Sequence, residues 1–303
     1  MRKLLLQTTI EGDADDWNID RFSQLRSFLA ELGGKDGQPA FLVVARNRSS
    51  RGAPDPVLSK LDESDVDQLW LFAVDGGDGL TSADCAGISR FRSRGGAIMV
   101  TRDHMDLGSS ICELGAVGNA HHFHTRNLEP DTTRHRVDNP FSPGISWPNY
   151  QSGANGDFQC VRPVGSIHPV MRDRDSATGV IQYLPAHPHE GAVSSPSGDA
   201  SSRVVVEGQS SATGRPFNIA VAFERSAHGG RAIAQSTFHH FADYNWDPGA
   251  GSPSFVTEHP GAGMRRFPEA LRSTKQYIRN FAFWLTGEEH AQPDSDQRTR
   301  RHL

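Results

Sequence analysis

Two nearly continuous apolar runs constrain the fold of this chain more than any other feature. They are Ala40–Ala45 and Gln68–Val74, and the second reads QLWLFAV. Runs of this kind are typical of strands that are buried on both faces, as in a parallel sheet covered by helices. An apolar strand at Lys3–Ile10 and a helix at Asp20–Leu32 precede them. The order predicts β-α-β units and therefore an α/β protein.

The same alternation continues through the rest of the chain. Thr81 or Ser82 can cap a helix that runs to about Ser93, and a fourth strand follows at Ala97–Thr101. Further strands and a last amphipathic helix are predicted at Val180–Leu184, Arg203–Val206, Phe217–Phe223, Arg231–Thr237 and Pro268–Leu285. These elements predict one flavodoxin-like, doubly wound domain with a mostly parallel sheet.

A polar segment interrupts this pattern between about residues 118 and 163. It is rich in Asn, Pro, His and Gly, too polar for a core element and too long for an ordinary loop. We expect residues 118–200 to form a loop-rich cover over the carboxyl edge of the sheet. The domain is assigned to residues 1–286, and the charged tail 287–303 is expected to be disordered.

The charge balance excludes several classes of partner. Thirty-one Lys and Arg stand against 36 Asp and Glu, without long blocks of either sign, so neither nucleic acid nor a membrane surface is expected as a partner. No apolar run approaches the roughly 20 residues of a membrane span. We expect a cytoplasmic protein with a small-molecule ligand, and a homo-oligomer is compatible with the sequence. Its three cysteines, Cys85, Cys112 and Cys160, are widely spaced and expected to be reduced.

Histidines carry the strongest signal for chemistry. Neutral imidazole serves as a general base or metal ligand, and carboxylates orient it. Eight of the 14 histidines fall in four groups, three of which include a carboxylate: His104 with Asp103; His121, His122 and His124; His187 and His189 with Glu190; and His239 and His240 with Asp243. Each group also has a structural interpretation, because one residue of a pair at a strand end can be core and the other exposed.

Two of these groups are expected to meet at one edge of the sheet. Asp103 and His104 follow the fourth strand, and His239 and His240 follow Arg231–Thr237; parallel strands open on the same side at their carboxyl ends. We predict His240 as the general base within a catalytic set of Asp103, His104, His240 and Asp243. The residues predicted to bind substrate are Asp75, His168, His189, Glu190 and His239.

Other motifs leave alternatives open. His121, His122 and His124 are candidate ligands for a divalent metal, but they lack the HExxH pattern and a polar loop explains them equally well. Pro188 favours a rigid surface turn at residues 187–190, which could bind substrate or be purely structural. The glycines of residues 76–79 lack the phosphate-loop pattern and lie beside two carboxylates, so nucleotide binding is not expected.

Four stretches occur in an order that resembles a known family. They are Asp78–Leu107, Gly165–Pro169, Thr213–Ala222 and Gly230–Asp243. In this order they resemble the ThuA-like, trehalose-utilisation proteins of the class I glutamine amidotransferase-like superfamily, over most of residues 1–286. The resemblance implies a flavodoxin-like fold and a small polar, carbohydrate-derived substrate.

The sequence departs from that superfamily at the nucleophile. In glutamine amidotransferases the turn after the fourth strand carries a catalytic Cys, with His and Glu later in the chain. Here that turn holds Asp103 and His104, and Cys112 lies about two helical turns further on, so glutaminase activity is not expected. The resemblance implies that His240 and Asp243 stand where the superfamily has its His and Glu.

Two functions therefore remain open. The favoured hypothesis is a hydrolase-like enzyme without a Cys nucleophile, which acts on a small polar substrate through a His/Asp site. A divalent metal shared by these residues is compatible with it. The alternative is a non-catalytic binding or assembly protein that retains the fold, because fold does not determine function. Several His/Asp groups on one edge favour the enzyme.

Overall fold

An eight-stranded sheet lies at the centre of the structure, a computed structural model that describes residues 1–34, 37–136, 138–140, 142 and 144–287. Two short two-stranded ribbons accompany it. The strands of the described residues are β1 (Arg2–Thr8), β2 (Phe41–Arg46), β3 (Gln68–Phe72), β4 (Ala97–Thr101), β5 (His121–His122), β6 (Phe158–Cys160), β7 (Arg162–Pro163), β8 (Tyr183–Pro185), β9 (Ala192–Val193), β10 (Ser202–Gln209), β11 (Pro216–Phe223) and β12 (Ala232–Gln235).

The order of strands in the large sheet is β2-β1-β3-β4-β12-β11-β10-β7. The first five strands are parallel, and β11, β10 and β7 extend the sheet in antiparallel fashion. The parallel part has the 2-1-3-4-5 order of flavodoxin-like folds. The predicted doubly wound α/β fold with a mostly parallel sheet is therefore confirmed.

Helices cover both faces of this sheet. The α-helices are α1 (Ser23–Glu31), α2 (Ser82–Ser93), α3 (Gly115–Asn119), α4 (Asp243–Trp246), α5 (Gly263–Arg266) and α6 (Pro268–Leu285). Short 3-10 helices span Ile19–Phe22, Leu58–Glu63, Ser109–Glu113, Thr132–Arg134, Pro169–Met171, Phe238–His240 and Pro248–Ala250. None of the described helices combines the length and apolar character that crossing a bilayer requires.

Alternate residues of each strand enter two separate cores. Leu4, Trp70 and Met99 pack on the face covered by α1 and α6, whereas their neighbours Leu69 and Ile98 pack on the face covered by α2. Side chains alternate between the faces of a strand, so a strand buried on both sides must be apolar throughout. This requirement explains the continuous apolar runs in the sequence.

Most predicted elements agree with the structure within a few residues. The bounds of β4 and α6 coincide with the predictions, and Thr81 caps α2 by accepting a hydrogen bond from the Asp84 amide. The predicted strand Val180–Leu184 is different, because Val180 forms only an isolated bridge with Arg172 before β8 begins. The predicted disorder of the tail lies outside the described residues beyond Gly287.

The polar segment after residue 118 lies partly inside the protein. Asn149, Ser152 and Asn155 are buried, and they contact histidines at the carboxyl edge of the parallel strands. The segment therefore contributes side chains to the candidate site described next.

Candidate functional site

A buried carboxylate at the carboxyl end of β4 is the centre of the site. Asp103 is 3% exposed, and three imidazoles surround its two oxygens. His104 Nδ1 lies 2.9 Å and His239 Nε2 lies 3.7 Å from Asp103 Oδ2, and His187 Nε2 lies 3.5 Å from Oδ1. Thr237 donates its hydroxyl to Oδ1 at 3.1 Å. The ends of β4 and β12 thus meet as predicted, and the 187–190 segment joins them.

Two asparagines fix the tautomers of His187 and His239. The Asn245 amide nitrogen donates to Ala186 O and to Asn155 Oδ1, so both carboxamide oxygens are oriented. His187 Nδ1 lies 2.8 Å from Asn155 Oδ1, and His239 Nδ1 lies 2.9 Å from Asn245 Oδ1. Because an oxygen acceptor requires an N–H, both rings carry the proton on Nδ1. Their Nε2 lone pairs face Asp103.

The electrostatics of this cluster follow from burial. Burial lowers the pKa of His187 well below its usual range, and the adjacent His239 ring lowers it further. For Asp103 burial opposes ionisation, but the positive charge that His104, His187 and His239 carry when protonated outweighs it, so the pKa of Asp103 lies well below its usual value. The site therefore presents an ionised carboxylate to an uncharged His187 at neutral pH.

His189 closes one side of the cluster. Its ring lies 5.4 Å from that of His104, and both of its nitrogens have partners, Asn149 Oδ1 and Glu258 Oε1, each at 3.0 Å. The side chain of Glu258 is 42% exposed and that of His104 is 15% exposed. The site thus reaches solvent beside His104 and Glu258.

Glu190 and His240 form a second buried pair next to the Asp103 cluster. His240 Nε2 lies 3.4 Å from Glu190 Oε2, and neither side chain is exposed. Gln235 donates to His240 Nδ1 at 2.6 Å. Ser152 joins the two clusters, because its hydroxyl accepts from the His187 amide and lies 2.6 Å from Glu190 Oε1.

Residues 187–190 are buried rather than a surface turn, so that expectation was wrong. Glu190 pairs with Tyr150 through two backbone hydrogen bonds of 2.8 and 3.0 Å. A Cβ on Gly191 would lie 2.4 Å from the Ser236 carbonyl oxygen and 2.7 Å from that of Asp103. Only glycine permits this close approach, which holds the segment against the ends of β4 and β12.

Arg102 holds the loop that carries His104. Its fully buried guanidinium donates to the carbonyl oxygens of His104, Met105, Leu107 and His122. Burial lowers the pKa of Arg102 to about 9. These bonds tie the turn after β4 to β5 and position His104 beside Asp103.

The remaining predicted site residues occupy other positions. His168 lies at the opposite, amino edge of the sheet, 3.5 Å from Glu224 at the end of β11, so its predicted place near Asp103 is wrong. Asp75 accepts from Thr9, Ser110 and the Gly77 amide in the turn after β3.

Asp243 makes the contacts of a helix cap. It accepts from the Ser23 amide and hydroxyl and from the Gln24 amide at the start of α1. A carboxylate at this position satisfies amides that the first turn of a helix leaves without partners. The catalytic role predicted for Asp243 stays a prediction, beside this structural role.

The predicted metal-binding triplet is not brought together. His121 and His122 lie in β5, where successive side chains point to opposite sides, and His124 is exposed. His122 Nε2 contacts Ser194 at 2.5 Å and Glu129 at 3.4 Å. Within the described parts of the chain, the ligand atoms that lie within 4.8 Å of one another are instead those of Asp103, His104 and His187.

No thiol is placed to act as a nucleophile in the described site. Burial raises the pKa of Cys85 to about 12, and it also raises the pKa of Cys112. Cys160 is exposed on β6. That Asp103 and His104 take the place of a nucleophilic cysteine stays a prediction.

Sequence reasoning missed several members of the cluster. His187 was grouped with His189 and Glu190 but was not selected, and the roles of Asn155, Asn245 and Thr237 were not predicted. Asn and Thr are common in loops and carry no signal by themselves. The available signal for His187 was its place in a pair with His189, on either side of Pro188.

Comparisons with known proteins give structural similarity only. No protein-family model matches this chain, and no curated protein matches it. Similar solved structures include ThuA-like proteins from Bacteroides uniformis (13% identity, 94% of this chain and 91% of that one, TM-score 0.45) and Parabacteroides merdae (13%, 97% and 94%, 0.46). Another is the glutaminase domain of Trypanosoma brucei CTPS with bound acivicin (12%, 97% and 97%, 0.47). The first two carry the name of the family that the four sequence motifs resemble. The fold assignment rests on strand order, and no residue role is transferred from these structures.

Proposed function

We propose that this chain is a hydrolase for a small, uncharged, hydroxyl-rich molecule of the carbohydrate-derived class. The observation that carries the proposal is the buried Asp103 carboxylate, which faces three imidazoles at the carboxyl edge of a parallel sheet. This edge is where open α/β sheets bind their ligands. Buried groups with strongly shifted pKa values cluster at functional sites.

His239 is the general base in this proposal. Its Nε2 carries a lone pair, because Nδ1 donates its proton to Asn245. A water between His239 and Asp103 gives a proton to Nε2, and its oxygen adds to the electrophilic carbon of the substrate. The bond between that carbon and the leaving group then breaks. The same proton then passes to the leaving group, so His239 returns to its starting state. His240, which the sequence favoured as base, instead contacts Glu190 and Gln235.

The charges around the site disfavour an anionic substrate. Asp103, Glu190 and Glu258 are carboxylates, and each would repel an anionic ligand. The guanidinium of Arg102 is engaged by four backbone carbonyls and does not face the cluster as a free cation. Hydroxyl groups can donate to the carboxylates and accept from the imidazoles, as in a carbohydrate.

Turnover screening tests this proposal. The purified full chain is assayed against sugar esters, N-acyl sugars and glycosides, with His239→Gln as the test variant and His124→Gln as the control. Loss of the base should reduce kcat/KM by about 10²–10⁴-fold, whereas the exposed His124 should be dispensable. Ligand binding without turnover would instead favour a binding protein that retains the fold.

A further inference from the structure

Two of the imidazoles around Asp103 have no N–H group directed at the carboxylate. His187 and His239 each donate Nδ1–H to an asparagine oxygen, so both Nε2 atoms point lone pairs toward the carboxylate. His187 Nε2 and His104 Nδ1 are buried 3.5 and 2.9 Å from Asp103 oxygens, yet neither makes a well-oriented hydrogen bond with the described residues. Lone pairs and a carboxylate repel one another, and a cation bound between them replaces this repulsion with attraction to both.

We propose that Asp103, His104 and His187 bind one divalent transition-metal ion. Their ligand atoms lie within 4.8 Å of one another, and the carboxylate oxygens lie 2.9 Å from His104 Nδ1 and 3.5 Å from His187 Nε2. Ligands about 2.0–2.1 Å from a tetrahedral zinc ion are about 3.3 Å apart. The Oδ2–His104 and Oδ1–His187 separations bracket this value, and one ligand atom from each residue lies within 4.8 Å of the others, so rotation of the side chains would bring one oxygen and two nitrogens to an ion.

The donor set selects the class of metal. Two imidazole nitrogens and one carboxylate suit Zn²⁺, Fe²⁺ and similar ions, whereas Mg²⁺ and Ca²⁺ prefer oxygen ligands alone. Three protein ligands also leave a coordination position for water, which is typical of catalytic rather than structural zinc sites.

The surrounding hydrogen bonds support the same assignment. Histidines that bind metals usually donate their other N–H to an oxygen acceptor, which fixes the ring orientation. Asn155 does this for His187, and the Thr237 hydroxyl donates to Asp103. Arg102 holds the backbone of His104 through its carbonyl oxygen at 3.0 Å. The His187 ring and the Asp103 carboxylate therefore each have a side-chain partner that orients them, and the backbone of His104 is held in place.

The ion would lie in the site assigned above to hydrolysis. Its catalytic use rests on that proposed function, but its binding does not. A bound divalent ion lowers the pKa of its water ligand toward neutrality. His239 is then free to accept the proton of that water, because its Nε2 is not required as a ligand.

Equilibrium metal binding to the full chain tests this inference without any substrate. The protein is stripped with a chelator, and Zn²⁺ is titrated in competition with a chromophoric chelator. We expect one Zn²⁺ per chain, and no comparable binding of Mg²⁺. The Asn155→Ala variant should bind Zn²⁺ about 10–100-fold more weakly, as loss of an orienting partner typically causes.

Ligand variants and a matched control complete the experiment. His187→Gln and Asp103→Asn should lose tight Zn²⁺ binding. His124→Gln should keep it, because His124 is exposed and is not one of the three proposed ligands. Circular dichroism of the metal-free variants verifies folding. If His187→Gln does not fold, Asn155→Ala still tests the site, because it retains all three ligands. Absorption of the Co²⁺-loaded protein gives an independent signature of nitrogen coordination.

The outcomes separate this inference from the proposed function. Wild-type protein that takes up no Zn²⁺, or folded Asp103→Asn and His187→Gln variants that bind it with unchanged affinity, would overturn the metal site even if the protein hydrolyses a substrate. Zn²⁺ binding that depends on these residues supports the metal site. If such a protein turns over no substrate, only the hydrolase proposal fails.

Discussion

Acidification should destabilise this protein through His168, and the size of the effect follows from the surroundings of its ring. The ring is 1% exposed, packs edge-on against Trp284 with centroids 4.8 Å apart, and accepts the Val170 amide as a helix cap. Burial, and then the charges of Arg203, Arg231 and Arg172, lower its pKa from 6.5 to about 3. Glu224 is the carboxylate that faces it, at 3.5 Å.

The sign and magnitude follow from proton linkage. In the unfolded chain His168 binds a proton below pH 6.5, whereas in the folded protein it does so only near pH 3. The unfolded state therefore binds more protons between these values, and the free energy of unfolding falls as the pH is lowered. Between pH 7 and pH 5 the loss from this residue is about 2 kcal/mol.

Urea unfolding of wild-type protein and His168→Asn at pH 7 and pH 5 measures this loss. Asparagine can also cap a helix but does not titrate. The other buried histidines contribute equally to the pH dependence of stability in both proteins, so their contribution cancels in the comparison. At pH 7 the variant should be less stable by about 1–2 kcal/mol, because it loses the contact with Trp284. At pH 5 the difference should shift by about 2 kcal/mol in favour of the variant.

A stability difference that is equal at the two pH values would refute this reasoning. It would mean that His168 is protonated in the folded protein, paired with Glu224. His228→Gln is the control, because His228 is exposed and should show no such shift. Zn²⁺ binding of His168→Asn should equal that of wild-type protein, because His168 lies at the other edge of the sheet.

Three further predictions concern Asp103, Asp243 and the cysteines. Asp103→Asn should lower kcat/KM by about 10²–10⁴-fold while the chain stays folded by circular dichroism; retained activity would remove Asp103 from the site. Asp243→Ala should cost about 1–2 kcal/mol in urea unfolding, because it uncaps α1, and a loss of turnover in the folded variant would instead support its predicted catalytic role. Iodoacetamide at pH 8 should modify exposed Cys160 and spare buried Cys85, because burial raises the pKa of the Cys85 thiol to about 12. Mass spectrometry of peptides measures this, and modification of Cys85 would contradict it.

Local signals in the sequence predict most of the fold. The run at β4 has the composition of a strand buried on both faces, and α6 has an apolar face with a proline in its first turn. The Thr81 side chain caps α2 by accepting a hydrogen bond from the amide of the residue three positions later. Each of these features depends on neighbours within one element, so its pattern is visible in a single sequence.

The site was predicted only in part, because its remaining contacts join distant segments. The side chain of Asp243 caps a helix about 220 positions earlier in the chain. The burial of Glu190 depends on pairing with Tyr150, which no local pattern indicates. His168 was misplaced because the sequence around it does not show at which edge of the sheet it lies, and its contact with Glu224 at the end of β11 puts it at the amino edge.

The place of β12 between β4 and β11 has a consequence for synthesis. About 130 residues separate the end of β4 from the start of β12, yet the two strands are neighbours in the sheet. At translation rates of about 5–20 residues per second, the apolar edge of β4 has no native partner for about 7–26 seconds. An unpaired apolar edge is a site of aggregation, so the nascent chain should need protection during this interval. Slower translation would lengthen the exposure and lower the yield of native protein.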